Sequence, residues 1–275
     1  MQRKRPIGVF DSGFGGMTIL NAIRESMPEY DYLYLGDNAR APYGSRSFDV
    51  VYEFTLQAVE YFFEQGVDLV ILACNTASAK ALRNIQQKVI PQKYPDKRVL
   101  GVIRPSTENI GDYTQTNHIG ILATEGTVRS ESYVLEIHKF HPEVTVFQQA
   151  CPLWVPLIED GEALCMEGEA IIKKDVAKLL QQSPDIDTII LACTHYPIIF
   201  SQIRKFVPEN IQLIAQGNII ASKFKDYLLR HPEFEEKISK NGQLTVLTTE
   251  DAVIFDERTQ LIFGEDYHSQ TIHLK

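Results

Sequence analysis

The sequence predicts an α/β protein made of two similar three-layer α/β/α domains with mainly parallel sheets, related by a pseudo-twofold axis. Short β-branched runs alternate with helical segments, which is typical of parallel sheets. Two of these runs, Val67–Ala73 and Ile186–Ala192, share the core Ile-Leu-Ala, and a cysteine follows each of them. The order of elements in residues 5–103 recurs after residue 118, which indicates an internal duplication.

The first half is predicted to contain four strands, separated by helices and loops. Apolar runs that end at turn residues predict the strands Arg5–Phe10, Asp31–Gly36, Val67–Ala73 and Arg98–Ile103. Hydrophobic periodicity predicts helices over Met17–Met27, Phe48–Gln65 and Ala79–Lys88. Pro91 is expected to end the third helix, and Arg104-Pro105 is expected to end the fourth strand.

The second half repeats this order. Its predicted strands are Ile119–Ala123, Val144–Gln148 and Ile186–Ala192, and its predicted helices are Thr127–Phe140 and Gly168–Gln182. The segment Cys151–Glu159 contains two prolines and is predicted to be an irregular loop.

The domain boundaries follow from this duplication. Residues 1–98 together with 212–275 are predicted to form the first domain, which carries Cys74, and residues 99–211 the second, which carries Cys193. The tail from Gln212 is expected to supply one or two strands and a helix over Ile219–Arg230. No low-complexity linker separates the halves, so we expect them to pack closely, with the active site in the cleft between them.

Composition narrows the class of protein. The 275 residues are 44% hydrophobic and 23% charged, as in a globular protein of two modest domains. A net charge of −9 argues against nucleic acid or an anionic membrane surface as the main partner. No apolar stretch reaches membrane-spanning length, and no signal-peptide apolar region follows the basic N-terminus. The four cysteines fit reduced thiols, so a cytoplasmic location is expected.

Each repeated cysteine is expected to lie at the carboxyl end of a parallel strand, beside the first turn of a helix. Ligands bind at this edge of open α/β sheets. Unpaired amides and a positive dipole end favour a thiolate there, and the pKa of a cysteine in such a position can fall from about 8.5 to roughly 3.5–7.5. The same amides can hold a carboxylate. Each copy therefore offers a base beside an anion cradle.

Four chemistries are open to two facing thiols. A redox pair is one, although Cys74 and Cys193 do not form a C-x-x-C motif. A metal site would need more ligands than the nearby His195 supplies. A cysteine nucleophile would use only one of the thiols. Opposed acid/base groups would use both, because one thiolate removes a proton from carbon while the other thiol returns one to the far face. Nucleotide binding is not favoured, because the glycine-rich turn Asp11–Gly16 lacks a phosphate-loop lysine.

Five motifs, taken together and in order, resemble those of glutamate racemases in the aspartate/glutamate racemase superfamily. They are Asp11-Ser12-Gly13-x-Gly-Gly, Pro42-Tyr43-Gly44, Cys74-Asn75-Thr76-Ala77, Val155-Pro156-Leu157-x-Glu159 and Cys193-Thr194-His195-Tyr196-Pro197. The resemblance covers nearly the whole chain. It implies interconversion of L- and D-glutamate without a cofactor or metal, in a homodimer, for bacterial peptidoglycan and cell-wall synthesis.

The resemblance also implies residue roles. Cys74 would deprotonate D-glutamate and Cys193 L-glutamate, with Asp11 assisting the first thiol and Glu159 and His195 the second. The implied substrate contacts are Asp11, Ser12, Tyr43, Gly44, Asn75, Thr76, Thr124, Thr194 and His195.

Several positions lie outside this pattern. Cys151 and Cys165 have no matching segment and are interpreted as structural. Arg104 and Gln216-Gly217 depart from the family pattern.

Two other functions remain open on the sequence. A sister activity would be racemisation of aspartate or a hydantoin, or a related decarboxylation. A non-catalytic alternative is an amino-acid sensor or a partner-binding protein, for example one that binds gyrase. The sequence leaves the arrangement of subunits and any regulation by a cell-wall precursor undetermined.

Overall fold

The computed structural model describes residues 4–274. Residues 1–3 and 275, which the predicted first domain includes, lie outside the described residues. The strands, numbered in chain order, are β1 (Ile7–Asp11), β2 (Tyr32–Gly36), β3 (Leu69–Leu72), β4 (Arg98–Gly101), β5 (His118–Ala123), β6 (Thr145–Ala150), β7 (Thr188–Ala192), β8 (Gln212–Ala215), β9 (Leu244–Thr248) and β10 (Ser269–Thr271).

Helices alternate with these strands along the chain. The α-helices are α1 (Met17–Ser26), α2 (Phe48–Glu64), α3 (Asn75–Lys80), α4 (Leu82–Asn84), α5 (Ile90–Lys93), α6 (Ile103–Thr107), α7 (Glu125–Arg129), α8 (Ser132–Phe140), α9 (Trp154–Glu159), α10 (Met166–Leu180), α11 (Phe200–Phe206), α12 (Gly217–Arg230), α13 (Pro232–Glu235) and α14 (Ala252–Phe263). A π-helical turn lies at Ile85–Val89, and 3₁₀ helices lie at Asn38–Arg40, Ile110–Asp112, Glu162–Leu164 and Tyr196–Ile199. Among the described residues, no helix is both long and apolar enough to cross a bilayer.

The strands form two sheets in which the named strands pair in parallel. The larger sheet has the order β10-β9-β2-β1-β3-β4, and the smaller has the order β6-β5-β7-β8. The run β2-β1-β3-β4 of the first sheet has the same connectivity as the whole second sheet, with β1 matching β5 and β3 matching β7. The predicted α/β fold with two similar, mainly parallel sheets is confirmed.

Helices cover both faces of each sheet. In the first sheet, Val9 packs with Phe224 of α12 on one face, whereas Phe10 packs with Phe62 of α2 on the other. The second sheet repeats this arrangement, with α10 on one face and α8 on the other. Strands buried on both faces are apolar at nearly every position, which explains why the two cysteine-ending runs do not alternate with polar residues.

Two segments that contain proline are helical, although one of them is predicted to be a loop. The loop predicted over Cys151–Glu159 contains α9, in which Pro156 is the third residue. Arg104-Pro105 likewise lies inside α6, with Pro105 as the third residue. In the first turn of a helix the backbone N–H groups have no helical acceptor, so a proline there removes no hydrogen bond.

Two predicted helices have other bounds. The helix predicted over Thr127–Phe140 is split into α7 and α8, because Glu131 has a left-handed φ of 53°. The helix predicted over Ala79–Lys88 begins at Asn75, where Cys74 supplies the N-cap, and helical structure continues past Pro91 to Lys93. A π-helical turn directly before Pro91 changes the hydrogen-bonding pattern where proline has no N–H to donate.

Two strands lie across or beyond the predicted domain boundaries. Strand β4 pairs with β3, with Arg98 opposite Leu69, so residues 99–101 belong to the first sheet. Strand β8 pairs with β7, with Gln212 opposite Thr188, so the tail begins in the second sheet. Later in the tail, β9 and β10 join the first sheet beside β2. The assignment of whole domains around these sheets stays a prediction.

Candidate active site

The site is built at the carboxyl ends of four matching strands. Strand β1 ends at Asp11, and β3 leads into Cys74; in the second sheet β5 leads into Thr124, and β7 into Cys193. Strands β1 and β3 are neighbours, as are β5 and β7, so each sheet brings one cysteine next to a polar strand end. The two sheets therefore present equivalent edges to one pocket.

The pocket encloses about 550 Å³ of space between the protein atoms, a volume that includes the solvent at its open mouth. Both repeated cysteines line it, and all four cysteines of the chain are free thiols. Every predicted site residue except Asp11 and Glu159 lines this pocket. Its walls are formed by Ser12, Pro42, Tyr43, Gly44, Ser45, Cys74, Asn75, Thr76, Thr124, Glu125, Cys151, Pro152, Val155, Pro156, Cys193, Thr194 and His195.

Cys74 is buried and serves as the N-cap of α3. Its Sγ lies 3.4 Å from the Ala77 amide, which donates to it, and 3.4 Å from Ser12 Oγ. Burial, reinforced by the carboxylate of Asp11, nevertheless raises the pKa of the Cys74 thiol to about 12. The expected fall in this pKa is therefore wrong, because desolvation outweighs the hydrogen bonds at the start of a six-residue helix.

Asp11 lies behind the pocket wall and is fully buried. Its carboxylate accepts hydrogen bonds from the Gly13 amide at 3.0 Å and from Thr194 Oγ1 at 3.3 Å. Burial raises the pKa of Asp11 to about 6, although the nearby His195 and these donors oppose the rise. Because Thr194 follows the second cysteine, this bond ties the first strand of one sheet to the cysteine loop of the other.

Cys193 has different neighbours. Its Sγ lies 4.0 Å from Nδ1 of His195, and Nε2 of the same ring lies 2.9 Å from Oε1 of Glu159. Burial works to lower the pKa of His195, but its hydrogen bonds to Cys193 and Glu159 outweigh that effect and raise the pKa to about 10. The imidazole therefore carries a positive charge near neutral pH.

A glycine keeps space open for this imidazole. A Cβ placed on Gly15 would lie 2.4 Å from Nδ1 of His195, closer than any side chain tolerates. The ring also packs against Phe14, with centroids 5.4 Å apart. The glycine-rich turn of the first sheet thus holds the histidine that follows the cysteine of the second sheet.

Hydroxyl groups and loop amides line the wall that joins α3 to α7. Thr76 Oγ1 lies 2.9 Å from Thr124 Oγ1, and Thr124 caps α7 by accepting from the Thr127 amide at 3.3 Å. The Gly126 amide donates to the carbonyl of Gly44 at 2.8 Å. Hydroxyls and helix-start amides grouped in this way can bind a carboxylate.

Two of the expected substrate contacts are already hydrogen-bonded within the protein. The hydroxyl of Tyr43 donates to the carboxylate of Asp37, which Arg40 also contacts. Both polar atoms of the Asn75 carboxamide have protein partners: Oδ1 accepts from Tyr133 at 2.6 Å, and Nδ2 donates to Gln216 at 2.9 Å. The hydroxyl of Tyr43 and the Oδ1 atom of Asn75 are therefore engaged in hydrogen bonds within the protein. The backbone groups next to these two side chains are the better candidates for contacts with a ligand.

Some residues that line the pocket, or that contact its lining, were not predicted as site residues. Cys151, interpreted from the sequence as structural, contributes a buried wall of the pocket, whereas the exposed Cys165 caps α10 by accepting from the Gly168 amide at 3.3 Å. Gln216 and Tyr133 contact the site from segments far away in the sequence, so no local motif could identify them. Arg104 lies at the surface, paired with Glu108 at 3.1 Å.

The sequence is similar to a known protein family and to individual proteins of known name. Residues 17–223 match the family model described as Asp/Glu/Hydantoin racemase. A glutamate racemase of Roseobacter denitrificans is 40% identical over 267 residues, which cover 93% of this chain and 96% of that protein.

Solved structures agree with this match. Glutamate racemase isoform RacE1 of Bacillus anthracis has a TM-score of 0.88 at 28% identity, covering 98% of each chain. The glutamate racemase of Francisella tularensis, crystallised in complex with D-glutamate, has a TM-score of 0.86 at 30% identity and covers 99% of this chain and 98% of that one.

Proposed function

The chain belongs to the Asp/Glu/hydantoin racemase family, and we propose that it is the member that interconverts L- and D-glutamate by a two-base mechanism. The proposal rests above all on one observation: two free cysteines, from equivalent strand ends of two sheets, line the same pocket. The relatives named glutamate racemase supply the choice of amino acid.

In the proposed mechanism one cysteine removes the α-proton of glutamate and the other returns a proton to the opposite face. In the direction from L- to D-glutamate, the Cys193 thiolate removes the α-proton, and the electron pair of the broken C–H bond passes into the α-carboxylate. The Cys74 thiol then donates its proton to the opposite face of the α-carbon. The enzyme is left with a Cys193 thiol and a Cys74 thiolate, which is the form required for the reverse reaction.

Neighbouring groups restore the starting protonation state. His195, held by Glu159 at 2.9 Å, exchanges a proton with Cys193, and Asp11, with its pKa near 6, is the corresponding group on the Cys74 side. The ammonium group of a bound amino acid brings a positive charge into the pocket, and that charge offsets the effect of burial on the pKa of Cys74. Acid–base help of this kind is worth about 10²–10⁴-fold in rate.

Residues with hydrogen-bond donors for the substrate carboxylates line the pocket. The hydroxyls of Ser12, Thr76 and Thr124 and the amides of Gly44 and Asn75 lie in its walls. Fixed donors at the α-carboxylate stabilise the charge that develops when the α-proton leaves. The side chain of Thr194, between Cys193 and His195, is a further contact.

The biological setting is part of the proposal. D-glutamate is a component of bacterial peptidoglycan, so the enzyme would serve cell-wall synthesis in the cytoplasm, as a homodimer and without a cofactor or metal. Activity retained after dialysis against a strong chelator would agree with the last point, and activity lost and then restored by one added metal would contradict it.

The direct test is circular dichroism of L-glutamate and, separately, L-aspartate during incubation with the protein. We expect the glutamate signal to decay to zero while the aspartate signal persists. Decay with aspartate alone would make the chain a sister racemase. Binding of glutamate without any change in chirality would indicate the sensor function instead.

A further inference from the structure

The side chains of Asn75, Gln216, Tyr133 and Ser106 form a buried hydrogen-bond circuit at the start of α3, the helix that Cys74 caps. Asn75 Nδ2 donates to Gln216 Oε1 at 2.9 Å, Gln216 Nε2 donates to Tyr133 Oη at 2.6 Å, and Tyr133 Oη donates to Asn75 Oδ1 at 2.6 Å. The second hydrogen of Gln216 Nε2 goes to Ser106 Oγ at 2.7 Å. Every hydrogen-bonding position of the Gln216 carboxamide except one acceptor lone pair is therefore used.

The side chains of the circuit are shielded from solvent. Asn75, Gln216, Tyr133 and Ser106 are all buried, with Gln216 only 1% exposed. The hydroxyl of Ser106 in turn donates a hydrogen bond to the carbonyl of Val102 at 2.7 Å. In such surroundings each hydrogen bond polarises the next, and an unpaired member is costly, so the ring holds its members in one arrangement.

The residues of the circuit belong to segments that follow or cover strands of both sheets. Asn75 is the first residue of α3, directly after the cysteine that follows β3 in the first sheet. Gln216 follows β8 at the edge of the second sheet and precedes α12, and Tyr133 lies in α8 beside that sheet. The circuit thus fastens the start of the helix capped by Cys74 to the other half of the molecule.

We propose that Gln216 is a positioning residue that, through Asn75, fixes the first turn of α3 and hence Cys74 against the α-carbon. This inference rests on the proposed racemase function. Gln216 does not line the pocket, so it acts only through Asn75, whose remaining Nδ2 hydrogen is free for a ligand. On the Cys193 side the residue after the cysteine is Thr194, which donates to the carboxylate of Asp11 in the other half at 3.3 Å, and His195 contacts Glu159.

Two variants break the circuit without much change in volume. Gln216→Met removes the carboxamide, and Tyr133→Phe removes only the hydroxyl. Gln212→Met, at an exposed position of the same β8 strand, is the matched control. We expect each circuit variant to lower kcat/KM by about tenfold to hundredfold, the loss that misplacement of a reacting group produces. The double variant should lose little more than either single one, because all these bonds belong to one ring.

Isotope effects separate positioning from a loss of folded protein. Enantiomers have equal free energy in water, so kcat/KM must fall equally in both directions. If the Cys74 step is the one impaired, the primary isotope effect must increase with α-deuterated D-glutamate, which Cys74 deprotonates, and decrease with α-deuterated L-glutamate. A merely structural role would reduce the active fraction and leave both isotope effects at their wild-type values.

The outcomes are distinguishable. Opposite changes in the two isotope effects, with the Gln212→Met variant like wild type, support the inference. Wild-type kcat/KM in Gln216→Met, or isotope effects that do not change, would overturn it while leaving the racemase function intact. A wild-type protein that does not racemise glutamate would overturn the proposed function and this inference with it.

Discussion

The two walls of the pocket have the same topology but different electrostatics. Cys74 and Cys193 both follow the strand beside the first strand of their sheet, β3 and β7. Beside Cys74 lies the buried carboxyl of Asp11, which helps to raise the pKa of the thiol. Beside Cys193 lies the imidazole of His195, whose pKa is raised to about 10. The two thiols therefore occupy matching positions in the two sheets but have different ionisable partners.

The two thiols therefore have neighbours of opposite charge. The anion beside Cys74 favours the thiol form of that residue, whereas the neighbour of Cys193 is a cationic imidazole. Under the proposed mechanism, a proton transfer across the α-carbon requires one acid and one base.

The largest expected effect comes from removing either thiol. Cys74→Ser and Cys193→Ser should each lower glutamate racemisation in both directions by at least about a hundredfold, because a serine hydroxyl is a far weaker acid than a thiol and is hardly ionised at neutral pH. Cys165→Ser, at an exposed helix cap, should be close to wild type in the same assay. A single active-site variant that keeps full turnover would rule out a mechanism with two bases.

A smaller effect is expected from Glu159→Gln. It removes the carboxylate that helps to hold His195 protonated, so the pKa of His195 should fall from about 10 toward 6.5. The alkaline limb of the kcat/KM profile should then move to lower pH, and kcat/KM at pH 8 should fall about tenfold, as for a lost charge-assisted hydrogen bond of ~1.5 kcal/mol.

The control for this variant is Glu162→Gln, which neutralises an exposed glutamate nearby. A pH–rate profile of Glu159→Gln that superimposes on that of the wild type would show that His195 does not depend on its carboxylate partner.

A third expected effect concerns the stability of the fold and the carboxyl group beside Cys74. The pKa of Asp11 is raised in the folded protein from 3.8 to about 6, so the native state binds more protons than the unfolded chain between these values, and its stability falls as the pH rises through them. Asp11→Asn removes this penalty. We expect it to stabilise the fold at pH 8 by about 1–3 kcal/mol, and by much less at pH 4.

Thermal unfolding of both proteins at the two pH values measures this difference. Equal shifts in Tm at pH 4 and pH 8 would contradict the proposed cost of ionised Asp11. The same variant should lower racemase activity, which would show that the carboxylate is kept at a cost to stability.

The sequence predicted those features that short-range patterns encode. The repeated runs before Cys74 and Cys193 indicated buried parallel strands, and both lie where expected. It predicted the wrong pKa for Cys74, because a motif shows the helix start but not the depth of burial. The two prolines of Cys151–Glu159 indicated an irregular loop, but Pro156 lies in the first turn of α9. Strand β8 joined the sheet opposite to the one expected, because strand pairing depends on distant partners. Gln216 was noticed only as a departure, since its contacts lie 83–141 residues away.

The central claim is that two monoprotic bases act from opposite walls, and incorporation of deuterium in D₂O tests it most directly. At early times, with either enantiomer as substrate, the product should carry deuterium at the α-carbon while the recovered substrate retains protium, because the proton removed by one thiol is not the one returned by the other. Product that keeps the substrate's own proton, or recovered substrate that exchanges as fast as product forms, would mean that one base serves both faces.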